Sequence, residues 1–216
     1  MAQDRTLPEV QEAEPIDDSA MEIGVTGAAG LMPLVRAEIE QQIATARQFP
    51  RSVAGFRSEL RRLVTLSEDI AEECIYALPR GWEFVGGKRQ RKFIEGASIR
   101  FAEIVQSCWG NSRVGFRLAD EQDEYIVAQG GFHDLERNNS ITLDVPRRIV
   151  DSNGKRFGID MIMVTANAAG SIAMRNAILR GIPKAYWNDG YLAARSLIIG
   201  DIKSIGSRIE RAMKAF

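Results

Sequence analysis

The sequence is poor in the residues and runs that mark several common protein classes. It has two cysteines and one histidine in 216 residues, which argues against a zinc site of paired ligands and against a disulfide framework. No run approaches the ~18 consecutive apolar residues needed to cross a bilayer, and the acidic beginning does not fit a secretory signal. We therefore expect a cytoplasmic protein with reduced thiols and no membrane span.

Motifs for nucleotide and metal chemistry are also missing. There is no GxxxxGK[ST] sequence, so a P-loop ATPase is not predicted and no cofactor is expected. Four carboxylates could converge on Mg²⁺ in a nuclease, although their positions in turns also explain them as solvent-exposed groups. These carboxylates are Asp134, Glu136, Asp144 and Asp160. A metal-dependent nuclease is kept as an alternative, and no metal site is predicted.

The formal charge of −1 conceals an uneven distribution. Residues 1–32 carry seven acids and one base, which leaves 27 bases and 22 acids on residues 33–216. We predict an acidic, disordered tail over residues 1–32 and a single basic domain over residues 33–216. The tail is interpreted either as a solubilising extension or as a segment that competes for the basic surface or docks a partner.

The apolar spacing predicts a mixture of helices and strands. Helices are expected over residues 33–48, 53–63, 67–76, 94–109 and 164–179, and from residue 192 onward. Strands are expected in a short hairpin around Gly86 and Gly87, in a meander over residues 114–119, 125–135 and 141–150, and over residues 157–163. Ile198, Ile202, Ile205 and Ile209 form an apolar stripe of the last helix.

Residues 78–111 combine basic residues, paired glycines and aromatic rings in one segment. A phosphate backbone would neutralise the mutually repelling bases and release counterions, while exposed rings would stack on nucleobases. The bases are Lys88, Arg89, Arg91 and Lys92, and the rings are Trp82, Phe84 and Phe93. The alternative is a solvated hairpin tip whose rings belong to the core.

A polar row follows one side of the predicted helix at residues 164–179. Asn167, Ser171 and Arg175 recur at every fourth residue and therefore share a helix face. This row either bonds to a neighbouring element or lines a groove in which Arg175 and Arg180 meet phosphates.

Several segments resemble a family of tailed-phage proteins associated with single-strand annealing recombination. The segments are CIYALPR, IEGASIRFAE, LERNNSITLDVPRRI and NAAGSIAMRNAI. They are similar to the RecT/Red-beta-like superfamily over roughly residues 40–190. One departure is the stretch GWEFVGGKRQRKF, which replaces the short glycine-lysine turn that joins the corresponding segments in the family.

The resemblance implies an α+β fold with an annealase-like β-β-β-α core, an antiparallel meander, a long packing helix and flanking N- and C-terminal helices. It also implies a homo-oligomer, either a ring or a helical filament, that anneals single-stranded DNA without ATP in the bacterial host cell. A phage exonuclease or a single-strand-binding protein is a possible further partner. Base pairing itself would then supply the fidelity, because phosphate contacts carry no sequence information.

We therefore predict a non-enzymatic DNA-binding and annealing protein. The candidate phosphate ligands are Arg80, Lys88, Arg89, Arg91, Lys92, Arg100, Arg147, Arg148 and Arg175. Trp82 and Phe93 are the candidate stacking residues, and Asn167 and Ser171 complete the predicted groove. The alternatives are the nuclease and a phage assembly protein that does not bind DNA.

Overall fold

A computed structural model describes residues 26–199 of the chain. The elements are α1 (Thr26–Gln48), α2 (Val53–Val64), α3 (Glu68–Glu73), β1 (Ile75–Val85), β2 (Lys88–Ala97), α4 (Ile99–Trp109), β3 (Ser112–Glu121), β4 (Tyr125–Asp134), β5 (Asn139–Arg148), α5 (Ile159–Gly181) and α6 (Lys184–Ile199). The chain divides into two units, Met1–Gln41 and Gln42–Phe216. All features of the candidate site belong to the second unit, and the predicted division after residue 32 stays a prediction.

The predicted α+β class is confirmed, with helices beside two antiparallel sheets. Helix α2 begins after Ser52 and helix α3 after Ser67, and each serine hydroxyl accepts a backbone N–H of the first turn. Serine at these positions satisfies donors that the helix itself leaves unpaired. The predicted starts of both helices are therefore correct.

The predicted hairpin at Gly86 and Gly87 is present but much longer than expected. Both glycines have positive φ angles, 58° and 78°, as a two-residue turn between twisted strands requires. Strands β1 and β2 pair from Ile75 opposite Ala97 to Val85 opposite Lys88. We call residues 75–97 the arm, its end at Ile75 and Ala97 the root, and the Gly86–Gly87 end the tip.

Strands β3, β4 and β5 form the predicted meander, with β4 in the centre. Alternate residues of β4 are buried, and helix α5 packs on this buried face. The approach is close because glycines leave room: a Cβ at Gly130 would overlap the backbone of Ala173, and one at Gly170 would overlap the ring of Phe116. Three strands followed by a packing helix thus match the expected β-β-β-α order.

The core consists of two clusters of buried side chains. The larger cluster joins α2, α4, α5 and α6 around Phe101 and Trp109. The ring of Phe56 contacts the ring of Trp109 edge-on, with 5.0 Å between the ring centroids. The smaller cluster lies between α5 and the sheet around Ile126 and Ile162. No helix within residues 26–199 is long and apolar enough to span a membrane.

Four predicted boundaries are wrong. Helix α4 begins at Ile99, because Ser98 caps it by accepting the N–H of Phe101 and residues 94–97 continue strand β2. The strand expected at residues 157–163 is instead the start of α5. Helix α3 ends at Glu73, not near Tyr76, and α6 begins at Lys184, before residue 192.

The first helix is also longer than predicted. Helix α1 begins at Thr26 and passes through Pro33, so part of the tail expected to be disordered is helical. Alanines at 28 and 29 favour the helix, which therefore continues through the glycines that flank them. The predicted tail over residues 1–25, and the stripe residues Ile202, Ile205 and Ile209, lie outside the described residues.

Candidate nucleic-acid interface

Pairing in the arm gathers aromatic and basic side chains on one face. Trp82 lies opposite Arg91, and Phe84 lies opposite Arg89. Because alternate residues of a strand share a face and cross-strand partners are neighbours, these four side chains lie together, with Phe93 following on the same face of β2. We call Trp82, Phe84, Arg89, Arg91 and Phe93 the aromatic face.

The aromatic face is exposed to solvent. The exposed fraction is 52% for Trp82 and 76% for Phe84, which is unusual for rings of this size outside binding surfaces. The guanidinium carbons of Arg89 and Arg91 lie 4.3 and 5.2 Å from the centre of the Trp82 ring, within cation–π range. The structure thus places these rings on the surface of the arm, and the alternative of a tip whose rings belong to the core does not hold for them.

The remaining basic residues of the arm lie elsewhere on it. Lys88 and Lys92 alternate with Arg89 and Arg91 along β2 and so lie on the opposite face. Arg80 lies with Gly81 in a bulge opposite Lys92, where the pairing shifts between Pro79 and Trp82. All three side chains are exposed, so the predicted cluster is distributed over both faces.

The root of the arm is fastened to the helical body. The guanidinium of Arg175 in α5 lies 5.1 Å from the ring centre of Tyr76, and that ring in turn covers Gly96, the partner of Tyr76 across the strands. Arg195 of α6 forms an ion pair with Glu95 at 3.0 Å. Two arginines from two helices therefore hold β1 and β2 at the root.

The polar row on α5 meets the arm at its root. Asn167 is exposed, Ser171 is half-buried, and Arg175 donates to the side chain of Asn176 while contacting Tyr76. Six residues of strand separate Tyr76 from Trp82, which corresponds to about 20 Å. Gly96, the partner of Tyr76, lies on the face of β2 opposite Phe93, so the row contacts the side of the arm that faces away from the aromatic face. Arg175 thus has a structural contact that the sequence did not reveal.

Three other predicted phosphate ligands are not brought to the arm. Arg100 donates to Glu103 at 2.9 Å on α4, a bond that raises the pKa of the guanidinium above its ordinary value. Arg147 pairs with Ile126 and Arg148 with Tyr125 at the end of the edge strand β5, so their side chains lie on opposite faces of the sheet. Ile126 packs beside Ile162, about 20 Å along α5 from Arg175.

The four carboxylates considered for a metal site do not converge on one site: Asp134 and Glu136 both pair with Arg51, while the other two lie elsewhere. Asp134 is 2% exposed and accepts two hydrogen bonds from Arg51, at 2.5 and 2.7 Å, and one from Trp109 at 3.1 Å. Asp144 lies on the other face of the sheet and accepts from Gln129, while Asp160 lies in the first turn of α5. No group of three or more metal-binding side chains occurs within residues 26–199.

The electrostatics of Asp134 identify it as a structural residue. Burial would raise the pKa of this carboxyl, but hydrogen bonds from Arg51, the backbone of Arg137 and Trp109 outweigh burial and lower the pKa below its ordinary value. The charged form therefore persists in the folded protein. Sequence reasoning missed this pair because Arg51 and Asp134 are far apart in the chain.

Both cysteines are free thiols, as expected. Burial raises the pKa of Cys74 and of Cys108 to about 11. At neutral pH both thiols stay protonated and are poor nucleophiles.

Comparison with protein-family models, with curated proteins and with solved structures finds no match to this chain.

Proposed function

We propose that the protein binds single-stranded DNA through the aromatic face of the arm and anneals complementary strands without ATP, as an oligomer in phage-type homologous recombination. One observation supports this function above the others: the exposed rings of Trp82 and Phe84 on β1 lie opposite Arg91 and Arg89 on β2, on a single face of the hairpin. Rings stack on bases of any sequence, and guanidinium groups bind phosphates or stack beside the rings.

Unpaired strands suit this face better than a duplex. In a duplex the bases are already stacked and paired, so Trp82 and Phe84 would meet only the sugar-phosphate surface. On a single strand the same rings reach base faces, while the Watson–Crick edges stay free to find a complement. The arginines beside Trp82 would exchange a cation–π contact for a phosphate contact, which keeps their charge compensated in both states.

The nuclease alternative has less support from the described carboxylates. Asp134 is held by Arg51, and Asp144 lies on the opposite face of the sheet. Incubation of DNA with the protein and Mg²⁺ tests this alternative directly, and cleavage that is lost in Asp144→Asn would favour it.

The DNA-binding proposal predicts a specific loss for Trp82→Ala. We expect affinity for a fluorescent single-stranded oligonucleotide to fall by about 5- to 150-fold, because one base–ring stack contributes about 1 to 3 kcal/mol. Replacing Arg89 and Arg91 with glutamine should flatten the slope of log affinity against log salt by about 0.7 for each phosphate that the variant no longer neutralises. Fluorescence anisotropy over a salt series measures both quantities.

Lys155→Gln is the matched control for the loss of positive charge, since Lys155 is an exposed base in a turn outside the arm.

Trp82 also reports binding directly, because the other tryptophans, Trp109 and Trp187, are buried. DNA should quench the fluorescence of the native protein but much less that of Trp82→Phe. Equal affinities for the native protein and Trp82→Ala, with unchanged salt slopes, would remove the arm from the interface. Failure to speed annealing of complementary oligonucleotides without nucleotide would refute the annealing activity.

A further inference from the structure

A large exposed ring lies on the three-stranded sheet, outside the arm. Phe116 pairs with Gly130 and therefore lies on the side of β3 that faces α5, yet 45% of its surface is exposed. Atoms of its ring occupy the place that a Cβ at Gly170 of α5 would take. The helix thus holds one part of the ring, and the rest is open to solvent. Leu118, two residues along the same side of β3, is also about half exposed.

The polar row of α5 passes beside this ring. Asn167, three residues before Gly170, lies on the same side of the helix, and Ser171 continues the row toward the arm. Neither side chain has a hydrogen-bond partner within residues 26–199. An amide and a hydroxyl can both donate and accept hydrogen bonds, so they match the mixed donors and acceptors of a nucleobase edge.

Groups that bind phosphate lie next to the ring and the row. Arg175 is five residues beyond Gly170, about 8 Å along the helix. It donates to Asn176 through Nε and Nη2, which leaves Nη1 for a further acceptor. Among the described strands β3 has β4 as its one neighbour, so its outer backbone N–H groups are also open to an acceptor. The acids of these two elements lie away from the ring, at Asp120, Glu121 and Asp160.

We propose that Phe116, Asn167 and Ser171 form a second base-stacking site, which extends the single-strand interface past the root of the arm. The inference rests on the proposed function, because one DNA strand occupies the aromatic face and then this site. A base stacks on the open part of the Phe116 ring, and the adjoining phosphate binds Arg175. The mixture of ring, amide, hydroxyl and guanidinium favours an unpaired strand as the occupant, since an apolar protein segment would leave the polar groups without partners.

The second site depends on the aromatic face for its occupancy. One base–ring stack by itself corresponds to a dissociation constant above about 1 mM, which is too weak to hold a strand. When one strand connects the two sites, the second contact becomes intramolecular and raises the affinity. The row meets the side of the arm that faces away from the aromatic face, so the strand passes round an edge of the arm near Tyr76.

An introduced tryptophan tests the second site directly. Trp82→Phe removes the exposed reporter of the aromatic face, and Phe116→Trp in the same chain adds a reporter at the second site. An oligonucleotide of about 16 nucleotides, the upper end of single-strand site sizes, should quench the introduced tryptophan, whereas one of about 4 should not, because it cannot cover both sites. Leu192→Trp in the Trp82→Phe chain is the matched control, since Leu192 is similarly exposed on α6. Neither oligonucleotide should quench it.

Phe116→Leu measures what the ring contributes. Affinity for the longer oligonucleotide should fall by about 5- to 150-fold, the value of one base–ring stack, whereas affinity for the shorter one should not change. Leu118→Trp gives the same fluorescence readout should Phe116→Trp not fold.

Three results would overturn the second site. The longer oligonucleotide could quench Trp82 in the native protein but not the introduced tryptophan, or Phe116→Leu could weaken binding of both oligonucleotides equally. Emission of the introduced tryptophan could also depend on protein concentration and not on DNA, which would mark a subunit contact. Absence of quenching at Trp82 would instead refute the proposed function, and this site with it.

Discussion

Tryptophan occupies opposite environments in this molecule. Trp109 is buried beneath Arg51 and Phe56 and donates to Asp134, whereas Trp82 is half exposed beside Arg89. In both places a guanidinium lies on the indole ring. The two arginine–tryptophan pairs differ in burial. The buried pair, Arg51 with Trp109, is part of the core, whereas the exposed pair, Arg89 with Trp82, leaves a ring edge and a positive charge accessible to solvent.

Asp134→Asn should destabilise the protein strongly. The substitution removes one of the two carboxylates that pair with the buried guanidinium of Arg51, the other being Glu136 at 3.1 Å. We therefore expect a loss at the lower end of the about 3 to 5 kcal/mol that breaking a buried pair costs. The exposed carboxylate Asp144 provides the control, since Asp144→Asn should change the free energy of unfolding by less than about 1 kcal/mol. Urea denaturation at pH 7 measures both, and equal costs would contradict a special role for the buried pair.

The same pair predicts a pH dependence. Because the folded-state pKa of Asp134 lies below its unfolded value of about 3.9, its stabilisation is complete above that value and is lost as the pH falls through the folded pKa. The difference in unfolding free energy between the native protein and Asp134→Asn should therefore shrink below about pH 4. Urea denaturation repeated over a pH series measures this difference.

At the scale of elements, the errors of sequence reasoning have physical causes. Phe157, Ile159, Met161 and Met163 alternate like a strand, yet three of them are exposed apolar residues on a helix. Apolar periodicity predicts an element correctly only when the apolar side chains are buried, so apolar side chains that stay exposed on a helix give a false strand pattern. Ile94 misled the prediction of α4 for the same reason, since it is exposed on the arm.

Other elements were predictable because local chemistry determines them. Ser52 and Ser67 cap helices, and the two glycines at the turn of the arm adopt positive φ angles. The contacts at the root were not predictable, since Arg175 and Tyr76 are separated by most of the domain. Gly96 within a strand was the available signal, because such a glycine often marks close approach of another group.

Adjacent glycines on β4 give a test of how closely α5 packs. A Cβ at Gly130 would overlap the backbone of Ala173, whereas one at Gly131 has no atom within 4 Å. Gly130→Ala should therefore cost about 1 to 3 kcal/mol or more through overpacking, and Gly131→Ala should stay within about 0.5 kcal/mol of the native protein. Thermal unfolding of the two variants compares them, and similar costs would show that α5 does not lie this close to β4.

At the scale of the whole molecule, the arm beyond its root adds exposed rings and charges but contributes little to the core. Its large rings are exposed, while the buried side chains belong to the helices and the meander. The root is tied to the body by Arg175 on Tyr76 and by Arg195 with Glu95. Under the proposed function, the arm would bind DNA without disturbing the core.

Removal of the arm beyond its root should therefore spare folding and abolish binding. Leu78 and Ile94 are cross-strand partners, so an Asn-Gly turn between them, replacing residues 79–93, closes a regular two-residue hairpin. The free energy of unfolding should change by less than about 1 kcal/mol in urea, followed by the fluorescence of Trp109 and Trp187, because the deleted rings are exposed. Affinity for single-stranded DNA should be lost. A shortened chain that binds DNA normally would move the interface to Arg147, Arg148 or the Asn167 row, and one that fails to fold would show that the arm contributes to the core.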